Sequence, residues 1–154
     1  MTVKVTFVCL GNICRSPMAD GVFQKLVNEA GLQEQILVDS AGTSSYHMGE
    51  QAHPGTRNEL KKHGIVYNGR SRQINHADNN PHTYLIAMDE SNLSDLIRAF
   101  GQREKTYRLL DFAAQTNEKN VPDPYYVGGF DYVYNLVADG CAGLLAFIRQ
   151  EEGL

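Results

Sequence analysis

Apolar and polar positions along this chain switch repeatedly between a strand-like and a helix-like period. Val3-Lys4-Val5-Thr6-Phe7-Val8 is β-branched and aromatic, which predicts a buried strand. It runs into Cys9-Leu10-Gly11-Asn12-Ile13-Cys14-Arg15-Ser16-Pro17, where Ser16 suits a helix N-cap and Pro17 the first helical position. Beyond it Val22, Phe23, Leu26, Val27 and Ala30 fall on one helical stripe, which Gly31 is suited to stop. The first unit is therefore a strand, a tight loop and a helix.

The pattern recurs without a repeat of sequence. Ile36-Leu37-Val38 predicts a second short strand, followed by a small polar loop from Asp39 to Ser45. Pro54 to His63 reads as a mostly exposed helix stopped by Gly64. Tyr84 to Met88 is a third strand, and Ser91 is placed to cap a helix carrying Leu93, Leu96, Ile97 and Phe100 at helical spacing. Thr106 to Leu110 is a fourth strand. A loop from Asn117 to Gly129 precedes a long closing helix marked by Val133, Val137, Cys141, Leu144 and Ile148. Strands alternating with helices predict an α/β fold, an open and mostly four-stranded parallel sheet with helices on both faces. Ligands of such sheets bind beyond the carboxyl ends of the strands. With no linker or repeat in sight, residues 1–154 are expected to form one domain.

Composition narrows the function. The chain is 42% hydrophobic and 21% charged, ordinary for a globular domain of 154 residues. A formal net charge of −4 argues against a nucleic-acid partner, so any anion must be held by a local site. Three cysteines are too few for a disulfide scaffold. The absence of a signal-like segment or a membrane-length apolar run leads to the expectation of a cytoplasmic protein with no membrane span. His47, His53, His63, His76 and His82 show no metal-ligand spacing and are expected at the surface, so neither a metal nor a cofactor is anticipated.

Candidate chemistry concentrates in the loop after the first strand. A tight loop feeding a helix N-terminus points backbone N–H groups at one spot and makes a phosphate-binding cradle of Leu10, Gly11, Asn12, Ile13, Cys14, Arg15 and Ser16. Cys9 at its base would be favoured as thiolate, the nucleophilic form. Arg15 supplies a planar fork matching two phosphate oxygens. Gly11 is expected to relieve an unusual backbone angle, and Asn12 tolerates the left-handed region. Ser16 can donate its hydroxyl to the sulfur. The plain alternative is a buried strand-end cysteine beside a surface arginine. No nucleotide-binding glycine motif occurs, which favours covalent phosphoryl transfer. Such a reaction needs a proton donor, and Asp123 between Pro122 and Pro124 sits on a stiff segment able to hold a carboxyl over a pocket. Taken alone, that Asp-Pro reads as a turn ahead of a catalyst. Tyr125 and Tyr126 offer flat walls for an aromatic substrate. Asp89 and Asn92 read as turn and cap residues, and Cys141 as core.

Cys9 to Pro17, Asp39-Ser-Ala-Gly-Thr43, Met88-Asp-Glu-Ser-Asn92 and Asp123-Pro-Tyr-Tyr126 together resemble the low-molecular-weight protein tyrosine phosphatases, in the same order and across essentially the whole chain. The resemblance implies hydrolysis of phosphotyrosine and aryl phosphate monoesters through a phosphocysteine intermediate. It makes Cys9 the nucleophile, Arg15 the phosphate ligand and Asp123 the general acid and then base. It assigns Asn12, Ser16 and Ser40 to supporting the loop, and Leu10, Ile13, Tyr46, Tyr125 and Tyr126 to the pocket wall. Many relatives have Trp where Tyr46 stands, and some have His at the place of Gly69. Relatives with both loop cysteines implicate Cys14 as a redox partner that traps oxidised Cys9 as a disulfide. Two other readings stand beside this one. Arsenate reductases share the loop but need further downstream cysteines, and here only Cys141 follows. A non-catalytic phosphotyrosine-binding module would be expected to lack the nucleophile or the acid. Partners are expected to be phosphotyrosine proteins or small aryl phosphates, with no nucleic acid.

Overall fold

The β-branched and aromatic residues of the first segment form strand β1 (Val3–Cys9), which lies at the centre of the sheet in a computed structural model that describes residues 2–154. It pairs in parallel with β2 (Ile36–Gly42) on one side and β3 (Thr83–Ala87) on the other. Strand β4 (Thr106–Arg108) extends the sheet beyond β3, giving the order β2-β1-β3-β4. Helix α1 (Arg15–Glu29) joins β1 to β2, and α2 (Pro54–Lys62) lies in the long connection to β3. Helix α3 (Glu90–Phe100) joins β3 to β4, while α4 (Pro124–Val127) and α5 (Phe130–Glu152) follow the sheet.

Alternation along the strands divides the core between two layers. Val3, Val5, Phe7 and Cys9, with Tyr84 and Ile86, face a large cluster shared with Val22, Phe23 and Val27 of α1 and Val137, Leu144 and Ile148 of α5. Val8, Leu85 and Ala87 face the other way, against Leu96 of α3. The expected open parallel sheet with helices on both faces is therefore present. From β1 the chain moves outward to β2, then returns to the opposite side of β1 for β3. That reversal opens a crevice at the carboxyl ends of β1 and β3, the position where such sheets bind ligands.

Several local expectations are corrected. Helix α1 begins at Arg15 with Cys14 in the N-cap position and no side-chain cap, so Ser16 and Pro17 both lie inside the first turn. Strand β2 continues through Asp39 to Gly42, because pairing with Thr6 to Cys9 continues along the segment read as loop. Asp89, not Ser91, caps α3, accepting from the Asn92 amide at 2.7 Å. Strand β3 spans Thr83–Ala87, so Met88 lies just past its end. Strand β4 stops at Arg108, and Leu109–Phe112 turns as a 3-10 helix that tucks Leu109 and Leu110 under α5. A Cβ on Gly143 of α5 would sit 1.9 Å from the Phe112 carbonyl oxygen, so this crossing requires glycine. The loop from Asn117 to Gly129 contains the short helix α4, with Asp123 as its N-cap. Pro54–Lys62 and the stop at Gly64, in the left-handed region, agree with the expectation.

Candidate active site

The loop between β1 and α1 is held from outside by its carbonyls. Thr43 N–H donates to the Cys9 carbonyl at 2.9 Å, Ser44 N–H to Leu10 at 3.0 Å, and the Ser71 hydroxyl to Gly11 at 2.9 Å. His53 N–H reaches the Ile13 carbonyl at 2.8 Å and the Thr56 hydroxyl reaches Cys14 at 3.0 Å. In a planar trans peptide the N–H points opposite to the C=O. Outward carbonyls therefore turn the amides of the same peptides inward, toward the Cys9 sulfur. The Asn12 amide accordingly donates to Cys9 Sγ at 3.3 Å.

Asn12 occupies the left-handed region at φ 56°, as its residue type allows. Its side chain stitches the loop to the sheet. Nδ2 donates to Ser16 Oγ at 2.8 Å and Ser40 Oγ at 3.0 Å, while Oδ1 accepts from the Arg72 amide at 3.0 Å. Ser16 Oγ lies 3.0 Å from Cys9 Sγ, so this side chain serves the sulfur instead of capping the helix. Gly11 is not in the left-handed region. Its missing Cβ instead lets the His47 ring lie close over the loop, since a Cβ there would meet His47 Cδ2 at 2.9 Å.

Arg15 is 5% exposed and anchored at both ends of its fork. Nη1 donates to Asp89 Oδ2 and to the Val121 carbonyl at 3.0 Å, and Nη2 lies 3.7 Å from Asp123 Oδ2. Burial opposes its charge, but Cys9, Asp89 and Asp123 outweigh it and hold the guanidinium more firmly protonated than usual. The arginine is therefore a buried structural hub, not the surface residue of the plain alternative. Asp123 reaches it because the Val121 amide donates to the Met88 carbonyl at 2.9 Å, pinning the segment to the end of β3. Asp123 Oδ1 also accepts from the Tyr125 amide at 3.0 Å, which starts α4.

These groups line a cavity of about 490 Å³. Cys9, Cys14, Arg15 and Asp123 contribute its polar and reactive atoms, and Leu10, Ile13, Tyr46, Tyr125 and Tyr126 its apolar walls. The five residues that the resemblance assigns to a pocket wall all lie on the lining of this cavity. Ser44 and His47 also line it, so His47 is a wall residue and not simply a surface histidine. Asn12, Ser16 and Ser40 stand behind the loop. Burial, reinforced by the charges of Asp123 and Cys9, pushes the Cys14 thiol up to about 12. Cys141 is fully buried in α5, its sulfur 3.8 Å from the Ala19 carbonyl, as expected of a core residue.

Sequence reasoning missed two parts of this site. Asp89, read as a cap, also holds Arg15. Behind Ser40, Tyr67 Oη lies 3.3 Å from Ser40 Oγ and donates to Asp20 Oδ2 at 2.8 Å. Burial drives the Asp20 carboxyl up to about 6 and raises the Tyr67 phenol as well. The Met88-to-Asn92 motif is the only sequence signal for the first. None pointed to the second. Among the described residues, no helix is long and apolar enough to cross a membrane.

A loop of inward amides around a cysteine, with a buried arginine and a carboxyl over one cavity, suits an enzyme acting on a tetrahedral anion. Comparison with known proteins agrees. Residues 4–153 match the family model of the low molecular weight phosphotyrosine protein phosphatases. The chain is 42% identical over 155 residues to the low molecular weight protein-tyrosine-phosphatase YfkJ of Bacillus subtilis (strain 168), covering 99% of both chains. It is 39% identical to the protein-tyrosine-phosphatase PtpA of Staphylococcus aureus (strain MRSA252), covering 99% of this chain and 97% of the relative. The crystal structure of Bacillus subtilis YfkJ superimposes with a TM-score of 0.93, over 98% of this chain and 97% of that one. A drosophila arginine phosphatase, 31% identical, has a TM-score of 0.86 over 95% and 98% of the respective chains. The match to the family model is almost end to end and the loop geometry fits it, so this chain belongs to the low molecular weight phosphotyrosine protein phosphatases.

Proposed function

We propose that this phosphatase hydrolyses phosphotyrosyl groups by a phosphocysteine route carried by Cys9, Arg15 and Asp123. The observation that supports it most is their convergence on one cavity, with Asp123 Oδ2 3.7 Å from Arg15 Nη2 and Cys9 Sγ at the base of the amide cradle. Cys9 thiolate attacks phosphorus in line with the phenolic oxygen. As the P–O bond breaks, the Asp123 carboxyl delivers its proton to the departing oxygen. The resulting carboxylate then takes a proton from the water that attacks the phosphocysteine, and the S–P bond breaks to return thiolate and inorganic phosphate. Loop amides and Arg15 hold the three equatorial oxygens throughout, a preorganised field that needs no rearrangement during the reaction. Tyr46, Tyr125 and Tyr126 offer the ring faces for an aryl group.

The whole chain is read as one such domain, in the cytoplasm, where its three unpaired cysteines would stay reduced. Arsenate reduction lacks support, because Cys141 is buried in the core and unsuited to a disulfide relay. The resemblance to an arginine phosphatase makes phosphoarginine the second substrate to test. The experiment is phosphate release from para-nitrophenyl phosphate, a phosphotyrosine peptide and a phosphoarginine peptide, each with EDTA. Aryl and tyrosyl turnover with EDTA present, lost in Cys9→Ser, is expected. Turnover confined to phosphoarginine would replace the substrate assignment, and full activity in Cys9→Ser would remove the covalent route.

A further inference from the structure

A second groove, of about 870 Å³, adjoins the active-site cavity and shares Ile13, His47 and Tyr125 with it. Arg57 and Arg70 both line this groove. Arg57 is steadied by donating Nε–H to the Ala52 carbonyl at 2.9 Å, and Arg70 donates from Nη1 to the Gly49 carbonyl at 3.2 Å. Among the described residues neither guanidinium has a carboxylate partner, whereas Arg72, Arg98 and Arg108 are each ion-paired. Glu50 is the one acidic side chain on the lining, and its Oε2 lies 3.0 Å from His47 Nδ1. The N-terminus of α2 opens onto the same groove at His53 and Pro54, adding the positive end of a helix dipole.

Backbone hydrogen bonds tie the two sides of the platform together. Gly49 N–H donates to the Ser71 carbonyl at 2.8 Å, Ser71 N–H to the Glu50 carbonyl at 2.9 Å, and Gln51 bridges Arg70 in antiparallel fashion. Two guanidinium groups without a direct carboxylate partner, against the single carboxylate of Glu50 on the same lining, leave a local excess of positive charge that attracts anions on an otherwise acidic chain. We propose that this groove is a specificity subsite that takes Asp or Glu side chains of a peptide whose phosphotyrosine fills the adjoining cavity. The shared wall residues put the acidic residue within a few positions of the phosphotyrosine, on the flank that runs over Ile13 and Tyr125. The inference rests on the phosphotyrosine reading above and names which peptides that site prefers.

The test compares matched phosphotyrosine peptides carrying Glu, Ala or Lys near the phosphotyrosine on either flank, with para-nitrophenyl phosphate as the control. On one flank, kcat/KM should rise roughly three- to tenfold from Ala to Glu and fall for Lys, with the preference shrinking as salt is added. Arg70→Glu, at an exposed position, should reverse that order, and Arg57→Gln should flatten it. Turnover of para-nitrophenyl phosphate, too small to reach the groove, should be unchanged in both variants and shows that they are folded. Wild-type indifference to the flanking charge, or the same preference in Arg70→Glu, overturns the subsite while leaving the phosphatase reading intact. Loss of aryl phosphate turnover in the wild type would instead bring down both.

Discussion

The Asp89 carboxylate, 74 residues away in sequence, accepts a hydrogen bond from Arg15 Nη1 through Oδ2 while its Oδ1 caps α3. One side chain thus ties the arginine after β1 to the helix after β3, across the crevice that the strand order opens. The two duties can be separated. Asp89→Asn keeps an acceptor for the Asn92 amide but withdraws the negative charge from a buried guanidinium. It is expected to lower kcat by roughly 10–100-fold through loss of Arg15 positioning. Asp89→Ala should lose about a further 1 kcal/mol of stability with the cap. Steady-state kinetics and urea denaturation of both variants test this, and equal kinetics for wild type and Asp89→Asn would reduce Asp89 to a cap.

Asp123→Asn removes the proposed proton donor while retaining the cap of α4. Turnover of aryl phosphates should fall by roughly 10²–10⁴-fold. The loss should grow with the pKa of the leaving phenol, since poorer leaving groups need the proton more. A series of substituted phenyl phosphates measures this. A uniform penalty across the series would make Asp123 a turn residue only.

Asp20 sets a pH dependence of stability. Burial raises its carboxyl to about 6 in the folded chain, opposed by the hydrogen bond from Tyr67. The unfolded value is about 3.9, so the folded state favours the protonated form. Its contribution is fully present below about pH 4 and is lost as pH rises to about 6, where ionisation of the buried group costs about 3 kcal/mol. Asn at this position still accepts from Tyr67 Oη and does not ionise. Urea denaturation from pH 4 to 7 should therefore show wild type losing stability relative to Asp20→Asn, and parallel curves would count against a perturbed Asp20.

Cys14 and Cys9 are both buried around one cradle and line one cavity. Burial and the Asp123 charge are the larger causes of the raised Cys14 thiol; the Cys9 charge adds to them and is the only part that oxidation of Cys9 to neutral sulfenic acid removes. The redox prediction is that Cys14 attacks the sulfenic sulfur, forming the disulfide and releasing water. Peroxide should inactivate the enzyme and dithiothreitol restore it, with bound phosphate slowing the inactivation. Cys14→Ser should proceed to sulfinic and sulfonic acids and recover poorly. Equal recovery, with no Cys9–Cys14 crosslinked peptide by mass spectrometry, would leave Cys14 a packing residue.

Local chemistry made much of this protein legible along the chain. Hydrophobic alternation through Val3 to Val8 and the stripe from Val133 to Ile148 depend on neighbours a few residues apart, so the central strand and the last helix were readable directly. Cys9, Asn12, Arg15 and Ser16 lie within one tight loop, where backbone geometry and residue type predict a cradle before any tertiary contact is known. Element ends were less readable. Pairing with β1 carried β2 through Asp39 to Gly42, and the packing of Leu109 and Leu110 under α5 cut β4 short. Asp123 was a candidate from its motif, but tertiary structure alone decided how it and the other distant residues meet at the site. Asp89, Val121 and Asp123 reach Arg15 because the sheet order sets the ends of β1 and β3 side by side. Tyr67 meets Asp20 of α1 and Ser40, and Arg70 joins Arg57 of α2 at the second groove, because the irregular segment after α2 follows a path set by packing and not by any periodicity. Short-range propensity determines what each segment is, whereas the burial of charge and the pairing of orphaned polar groups determine which segments meet.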